Sequence, residues 1–254
     1  MIYFGIPLRS KAVSSNWDNV TRVFNRTLKS VYSQTDPHFR IFVACHEVPE
    51  LSEEYDDRVE FLIAGTPYPK DRKEMMLDKG WKLSMIADRI KTCGGGYTMM
   101  VDSDDLVSNR IAEYVNAHPG CSGFLSKYGY VYNEGFSYVK KLFAMHRICG
   151  SCSIVNYSVE DLPEHMPDNL WDDRLKDTCI IRMSHRKIPD YLESVGRKLV
   201  TLPLPSTIYV RNTGDNHSML TGTDLNWKRK AELTVRKKIE LSSGVGKEFG
   251  MYFL

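Results

Sequence analysis

Asp102, Asp104 and Asp105 put three carboxylates within four residues, with Ser103 among them. Like charges this close repel unless something positive lies between them. Magnesium and manganese prefer oxygen ligands and would supply that charge. The plainer reading is an acidic turn that caps the next helix, with Ser108 a further cap before a helix beginning near Arg110. Cys149 and Cys152 form a single C-x-x-C among six cysteines. A redox pair would open a helix after a strand, and a zinc site would need two more ligands nearby. Neither set is evident, so buried structural thiols are expected. Tyr128, Tyr130 and Tyr132 alternate, which places them on one face of a strand. That face is either an aromatic platform or an ordinary half-buried surface.

These residues need elements to hold them. Residues 2–6 are a short apolar run stopped by Pro7. Val20, Val23, Phe24, Thr27, Leu28 and Val31 recur at helical spacing. Asp36-Pro37 ends that helix. Residues 39–45 and 59–64 are β-branched and aromatic, as buried strands are. Met75, Met76, Leu83, Ile86, Ala87 and Ile90 predict a second amphipathic helix, closed by Gly94-Gly95-Gly96. Residues 97–101 are the next strand. Strands alternating with helices predict a largely parallel sheet, whose ligands bind beyond the carboxyl ends of its strands. The acidic cluster follows one such end. Further on, residues 124–132 and 138–145 read as strands of a hairpin turned by Asn133-Glu134-Gly135. Helices are expected around 185–195 and 224–242.

The chain has 254 residues, 42% hydrophobic and 26% charged, with a net charge of +2. That is the balance of a globular protein, and not of a basic nucleic-acid binder. No run of about 18 apolar residues predicts a membrane-spanning helix, and the N-terminus does not read as a signal peptide. A cytoplasmic protein with reduced thiols is expected. Residues 227–240 carry six basic and two acidic side chains around a stripe of Trp227, Ala231, Val235 and Ile239. A basic amphipathic helix of this kind suits either its own domain or a peripheral contact with an anionic membrane.

In order and spacing the first 115 residues resemble the nucleotide-sugar glycosyltransferases with the GT-A fold. They are most similar to the large inverting family two. The resemblance rests on Ile6-Pro7 ending the first strand, on residues 30–35 before the second, and on Gly94-Gly95-Gly96-Tyr97. It rests above all on the Val101–Asp105 motif. It implies a Rossmann-like, mostly parallel α/β sheet with helices on both faces and a smaller antiparallel acceptor-side sheet. One domain, 1–254, is expected: a nucleotide-sugar half (1–115), an acceptor and catalytic half (116–223), and a C-terminal helix and tail (224–254).

The same resemblance implies a donor site of Pro7, Leu8, Arg9, Glu47, Lys79, Asp102, Ser103 and Arg211. Mn2+ or Mg2+ would be held by Asp104, with Asp102, Asp105 and His217. Asp173 would be the base that deprotonates the acceptor, with Asp172 beside it and Trp171 against a sugar. Lys70, Arg72, Lys82, His185 and Arg186 are further candidates for phosphate contact. Paired acidic residues often end the family's second strand. Cys45-His46-Glu47 stands there instead, with Glu47 as the substitute. The function implied is transfer of a sugar, from a UDP-sugar donor, to a glycan hydroxyl with inversion, as in bacterial surface-polysaccharide synthesis. A sugar nucleotidyltransferase would want a Gly-rich loop after the first strand, and residues 7–14 have no glycine. A non-catalytic carbohydrate- or metal-binding protein would have no use for Asp172-Asp173.

Overall fold

Six consecutive buried residues make β1 (Ile2–Pro7) a strand covered on both faces. In this computed structural model, which describes residues 1–172, 179–214 and 227–251, it lies at the centre of a seven-stranded sheet. β1 pairs in parallel with β2 (Phe39–Cys45) on one side and β4 (Gly96–Met100) on the other. β3 (Val59–Ile63) continues in parallel beyond β2. The sheet order is β10-β6-β9-β4-β1-β2-β3. It is completed by β6 (Gly123–Leu125), β9 (Ser153–Tyr157) and β10 (Val200–Thr201). β9 runs antiparallel to both of its neighbours, and β10 runs parallel to β6. The expected mostly parallel α/β sheet is what the structure has, and it draws strands from both sides of residue 115.

Helices cover both faces. α1 (Trp17–Tyr32) starts where the Asn16 side chain accepts the Asn19 N–H at 3.0 Å. Its Phe24, Leu28 and Val31 pack with Phe4, Ile6 and α3 (Ile111–Ala117) on one face. α2 (Arg72–Thr92) is capped by Asp71, which accepts the Glu74 N–H. Its Ile86, Ala87 and Ile90 pack with Phe42, Ala44 and α4 (Ile188–Ser194) on the other face.

A second sheet of five strands runs in the order β12-β8-β7-β11-β5. Its strands are β5 (Leu106–Val107), β7 (Tyr128–Asn133), β8 (Tyr138–Phe143), β11 (Thr207–Arg211) and β12 (Lys238–Glu240). β7 and β8 form the expected hairpin, and Gly135 takes the positive φ of +87° that the turn needs. The smaller sheet is antiparallel except for the β7–β11 pair.

Three expectations about elements are corrected. Residues 124–132 are not one strand. Ser126 donates its N–H to Cys152 and its hydroxyl to Tyr128, and the chain passes there from one sheet to the other. The helix expected at 185 begins at Ile188. The C-terminal helix, α5 (Trp227–Val235), stops early because Lys238–Glu240 pairs with the free edge of β8. The stripe is therefore divided. Trp227 and Val235 are exposed, Leu233 is buried, and Ile239 belongs to β12. A last short helix, α6 (Gly244–Glu248), sets Phe249 edge-on against Tyr130.

Candidate active site

The strand order reverses at β1: the chain moves outward through β2 and β3, then returns to the other flank as β4. Such a switch point opens a crevice at the carboxyl ends of the strands. Pro7, Leu8 and Arg9 leave β1 on one side of it, and Asp102 to Asp105 leave β4 on the other. The Val101 N–H donates to Gly5 at 2.8 Å and locks the two strand ends together.

The acidic turn has a front and a back. At the front, Asp102 Oδ1 meets Lys79 Nζ at 2.7 Å, on the first half of α2. The Asp102 charge raises the Lys79 pKa, and Asp104 and Asp105 add to it. The other Asp102 oxygen lies over Gly150 so closely that a Cβ there would collide with it. Asp104 and Ser103 are half-buried beside it, and the Ser103 carbonyl is held by the Thr27 hydroxyl at 3.1 Å. At the back, Asp105 is buried. Its Oδ2 accepts from Ser151 Oγ at 2.7 Å and from Cys149 Sγ at 3.1 Å; its Oδ1 accepts from the Val210 N–H at 3.4 Å. Burial, then the charges of Asp104 and Asp102, push the Asp105 pKa well up, while the Ser151 and Cys149 bonds oppose that rise. Ser151 Oγ also accepts the Asp102 N–H at 2.9 Å. Asp105 thus holds Ser151, and Ser151 holds the backbone of Asp102.

This turn fits a divalent cation of one kind. Among the described residues no three side chains of ligating type converge. Asp102 and Asp104 offer two carboxylates, and Asp105 faces inward. Magnesium-type sites commonly use one or two carboxylates and take their other ligands from substrate phosphates and water. The residues present suit a cation shared between protein and a bound diphosphate.

On the β1 side, loops after β1 and β2 meet α2. Glu47 accepts the Lys11 N–H and so shapes the loop after β1. Lys82, a candidate for phosphate contact, is instead buried: Nζ donates to the Leu8 carbonyl at 2.8 Å and to Asp78 Oδ2 at 2.7 Å. His46 lies 3.6 Å from the other Asp78 oxygen and stacks on Tyr68, with ring centroids 4.8 Å apart. The Tyr68 ring is half-exposed. Lys70 and Arg72 are exposed.

Residues 179–186 also reach this crevice. Arg182 packs its guanidinium on Gly80, where a side chain would clash. His185 feels the charges of Asp102, Lys79 and His146; burial lowers its pKa, and Asp102 opposes that. Its Nε2 is buried without a hydrogen-bond partner among the described residues. Sequence patterns did not single out Arg182 or His146, since nothing in spacing ties them to residue 102. Arg186 is exposed.

Asp172 ends the described segment. Its carboxylate accepts the Asp168 N–H at 3.4 Å within a turn. Trp171 is exposed, with Lys73 Nζ 5.8 Å from its ring. Asp173 and His217 lie outside the described residues. Arg211 is hydrogen-bonded to Asn133 Oδ1 at 3.1 Å and lines a pocket between β8 and α5. Tyr130 and Tyr132 are core residues against Phe249 and Met251, and form no platform. Cys149 and Cys152 are buried free thiols; burial raises the Cys149 pKa, which argues for a donor role and against a nucleophile.

No protein-family model and no curated protein matches the chain. Among solved structures, the crystal structure of S. aureus TarS is similar over 92% of this chain at 13% identity, with a TM-score of 0.44. The chain spans 42% of that protein's length. At this level the likeness speaks to neither substrate nor chemistry.

Proposed function

We propose that the protein is a metal-dependent glycosyltransferase that moves a sugar from a nucleotide-sugar donor, a UDP-sugar first, to a glycan hydroxyl. One observation carries the reading: an acidic turn at the end of a central strand, ion-paired to Lys79, across a switch-point crevice from the loop after β1. Arg9, His46 and Tyr68 would hold the nucleoside, with the exposed face of Tyr68 against the base. Asp104 and Asp102 would hold Mn2+ or Mg2+ together with the donor diphosphate. A cation there offsets the charge that develops on the leaving diphosphate. Lys79 adds positive charge at the same place and keeps Asp102 oriented. Asp173 takes the proton of the acceptor hydroxyl, and the displacement inverts the anomeric centre. Bacterial surface-polysaccharide synthesis in the cytoplasm is the setting this chemistry suits, with exposed Trp227 and Val235 available for a peripheral membrane contact.

The test is a panel of nucleotide sugars titrated with and without Mn2+. Binding of at least one donor should require the metal and be lost in Asp104→Asn. Asp173→Asn should keep donor binding and abolish transfer. A panel in which no donor binds in a metal-dependent way overturns the reading.

A further inference from the structure

Beyond the crevice, the second sheet, on its α5 face, has a pocket of about 210 Å3. At the ~30 Å3 a water occupies in bulk, that is room for about seven waters, or one sugar-sized ligand. Its polar lining comes from four elements. Arg211 and its β-ladder partner Asn133 end β11 and β7, Lys140 stands in the middle of β8, and Lys230 comes from α5. No carboxylate lines it among the described residues. Phe136 and Tyr138 form one wall, with centroids 5.2 Å apart and planes tilted by 42°.

Lys140 and Arg211 are both held in place. Lys140 Nζ donates to the Leu233 carbonyl at 2.7 Å, and the Arg211 guanidinium donates to Asn133 Oδ1 at 3.1 Å. Fixed cations lose little freedom on binding a ligand, which favours affinity. Lys230 shares a helical face with Leu233 and Thr234, at spacings of three and four residues. Leu233 is the residue by which α5 is anchored, so its neighbours on that face are carried to the pocket.

We propose that this pocket binds a phosphorylated sugar, with the phosphate between Arg211, Lys140 and Lys230 and the ring against Phe136 and Tyr138. A guanidinium fork and two ammonium groups around one small space match a phosphate better than a neutral hydroxyl. Sugar rings present an apolar face to aromatic side chains. No residue of the acidic turn lines this pocket, and binding there needs no transfer reaction.

The test titrates the full chain with glucose 6-phosphate, inorganic phosphate, glucuronate and glucose, by calorimetry at low salt. Glucose 6-phosphate should bind, inorganic phosphate should compete with it, and glucose should not bind. Lys230→Gln and Arg211→Gln should each weaken glucose 6-phosphate at least about tenfold, the loss of one charge-assisted hydrogen bond. Arg211→Lys keeps the charge and separates a folding defect from a lost contact. Asp102→Asn should leave the affinity within about twofold, because Asp102 does not line the pocket. Unchanged affinity in both pocket variants overturns the proposal. So does affinity lost in Asp102→Asn alone, which would put the phosphate in the donor crevice. Glucuronate binding as tightly as glucose 6-phosphate overturns the phosphate assignment.

Discussion

Ser151→Ala removes one hydroxyl from a fully buried position behind the acidic turn. Two bonds go with it: the one donated to Asp105 Oδ2 at 2.7 Å and the one accepted from the Asp102 N–H at 2.9 Å. The first is made to a carboxylate, and such bonds contribute about 1.5–3 kcal/mol. The second leaves a part-buried N–H without its acceptor, at a cost of about 1–3 kcal/mol. Allowing for relaxation, the net loss should be about 3 kcal/mol. In a domain of this size that lowers Tm by about 6–12 °C. Asp105→Asn in the same background replaces the carboxyl group that accepts the first bond. Asp105 and Ser151 should therefore be coupled by at least about 1 kcal/mol in a double-mutant cycle followed by urea unfolding. Metal-dependent donor binding should weaken in Ser151→Ala, because the backbone of Asp102 is no longer held. A Tm within a degree of wild type, or strict additivity with Asp105→Asn, would refute the claim that Asp105 positions the turn through Ser151.

Lys82→Met leaves Asp78 buried without its ammonium partner, so urea unfolding should show a loss of about 3–5 kcal/mol. A loss under about 1 kcal/mol would mean that the pair is solvated. Gly150→Ala puts a Cβ into the space of the Asp102 carboxylate, so calorimetry should show donor affinity falling in the presence of Mn2+ while the fold, read by circular dichroism, persists. Asp36 accepts from the His38 N–H at 2.8 Å and from Asn116 Nδ2 at 3.0 Å, which lowers its pKa from 3.8 to about 2. A depressed carboxylate pKa contributes stability that is present above the unfolded value and lost as pH falls through the folded one. Acid titration should show that loss between pH 3.8 and about 2, and Asp36→Asn should remove that part of the slope.

What could be read from sequence is what local pattern determines. β1, β2, β3 and β4 are largely apolar runs, so their positions, the parallel sheet and the acidic turn at its edge follow from residue runs alone. α2 shows where that reading fails. Its spacing nominates Met75, Met76 and Leu83 for burial, yet Met76 is exposed, while Asp78 and Lys82 are buried. The reason lies outside the helix: the Leu8 carbonyl and His46, from loops after β1 and β2, partner the two charges. Asp105 is the same case on a smaller scale. In sequence it is indistinguishable from Asp102 and Asp104. It turns inward because donors from residues 149, 151 and 210 wait there, more than 40 positions away. Tyr130 and Tyr132 alternate as a platform would, but Phe249 and Met251 return from the C-terminus to cover them. An acidic motif is thus visible as a list of oxygen ligands, whereas the division between carboxylates that face a ligand and one that holds the turn is made by distant residues. The Ser151 variant therefore bears on the site as directly as any change to the carboxylates themselves.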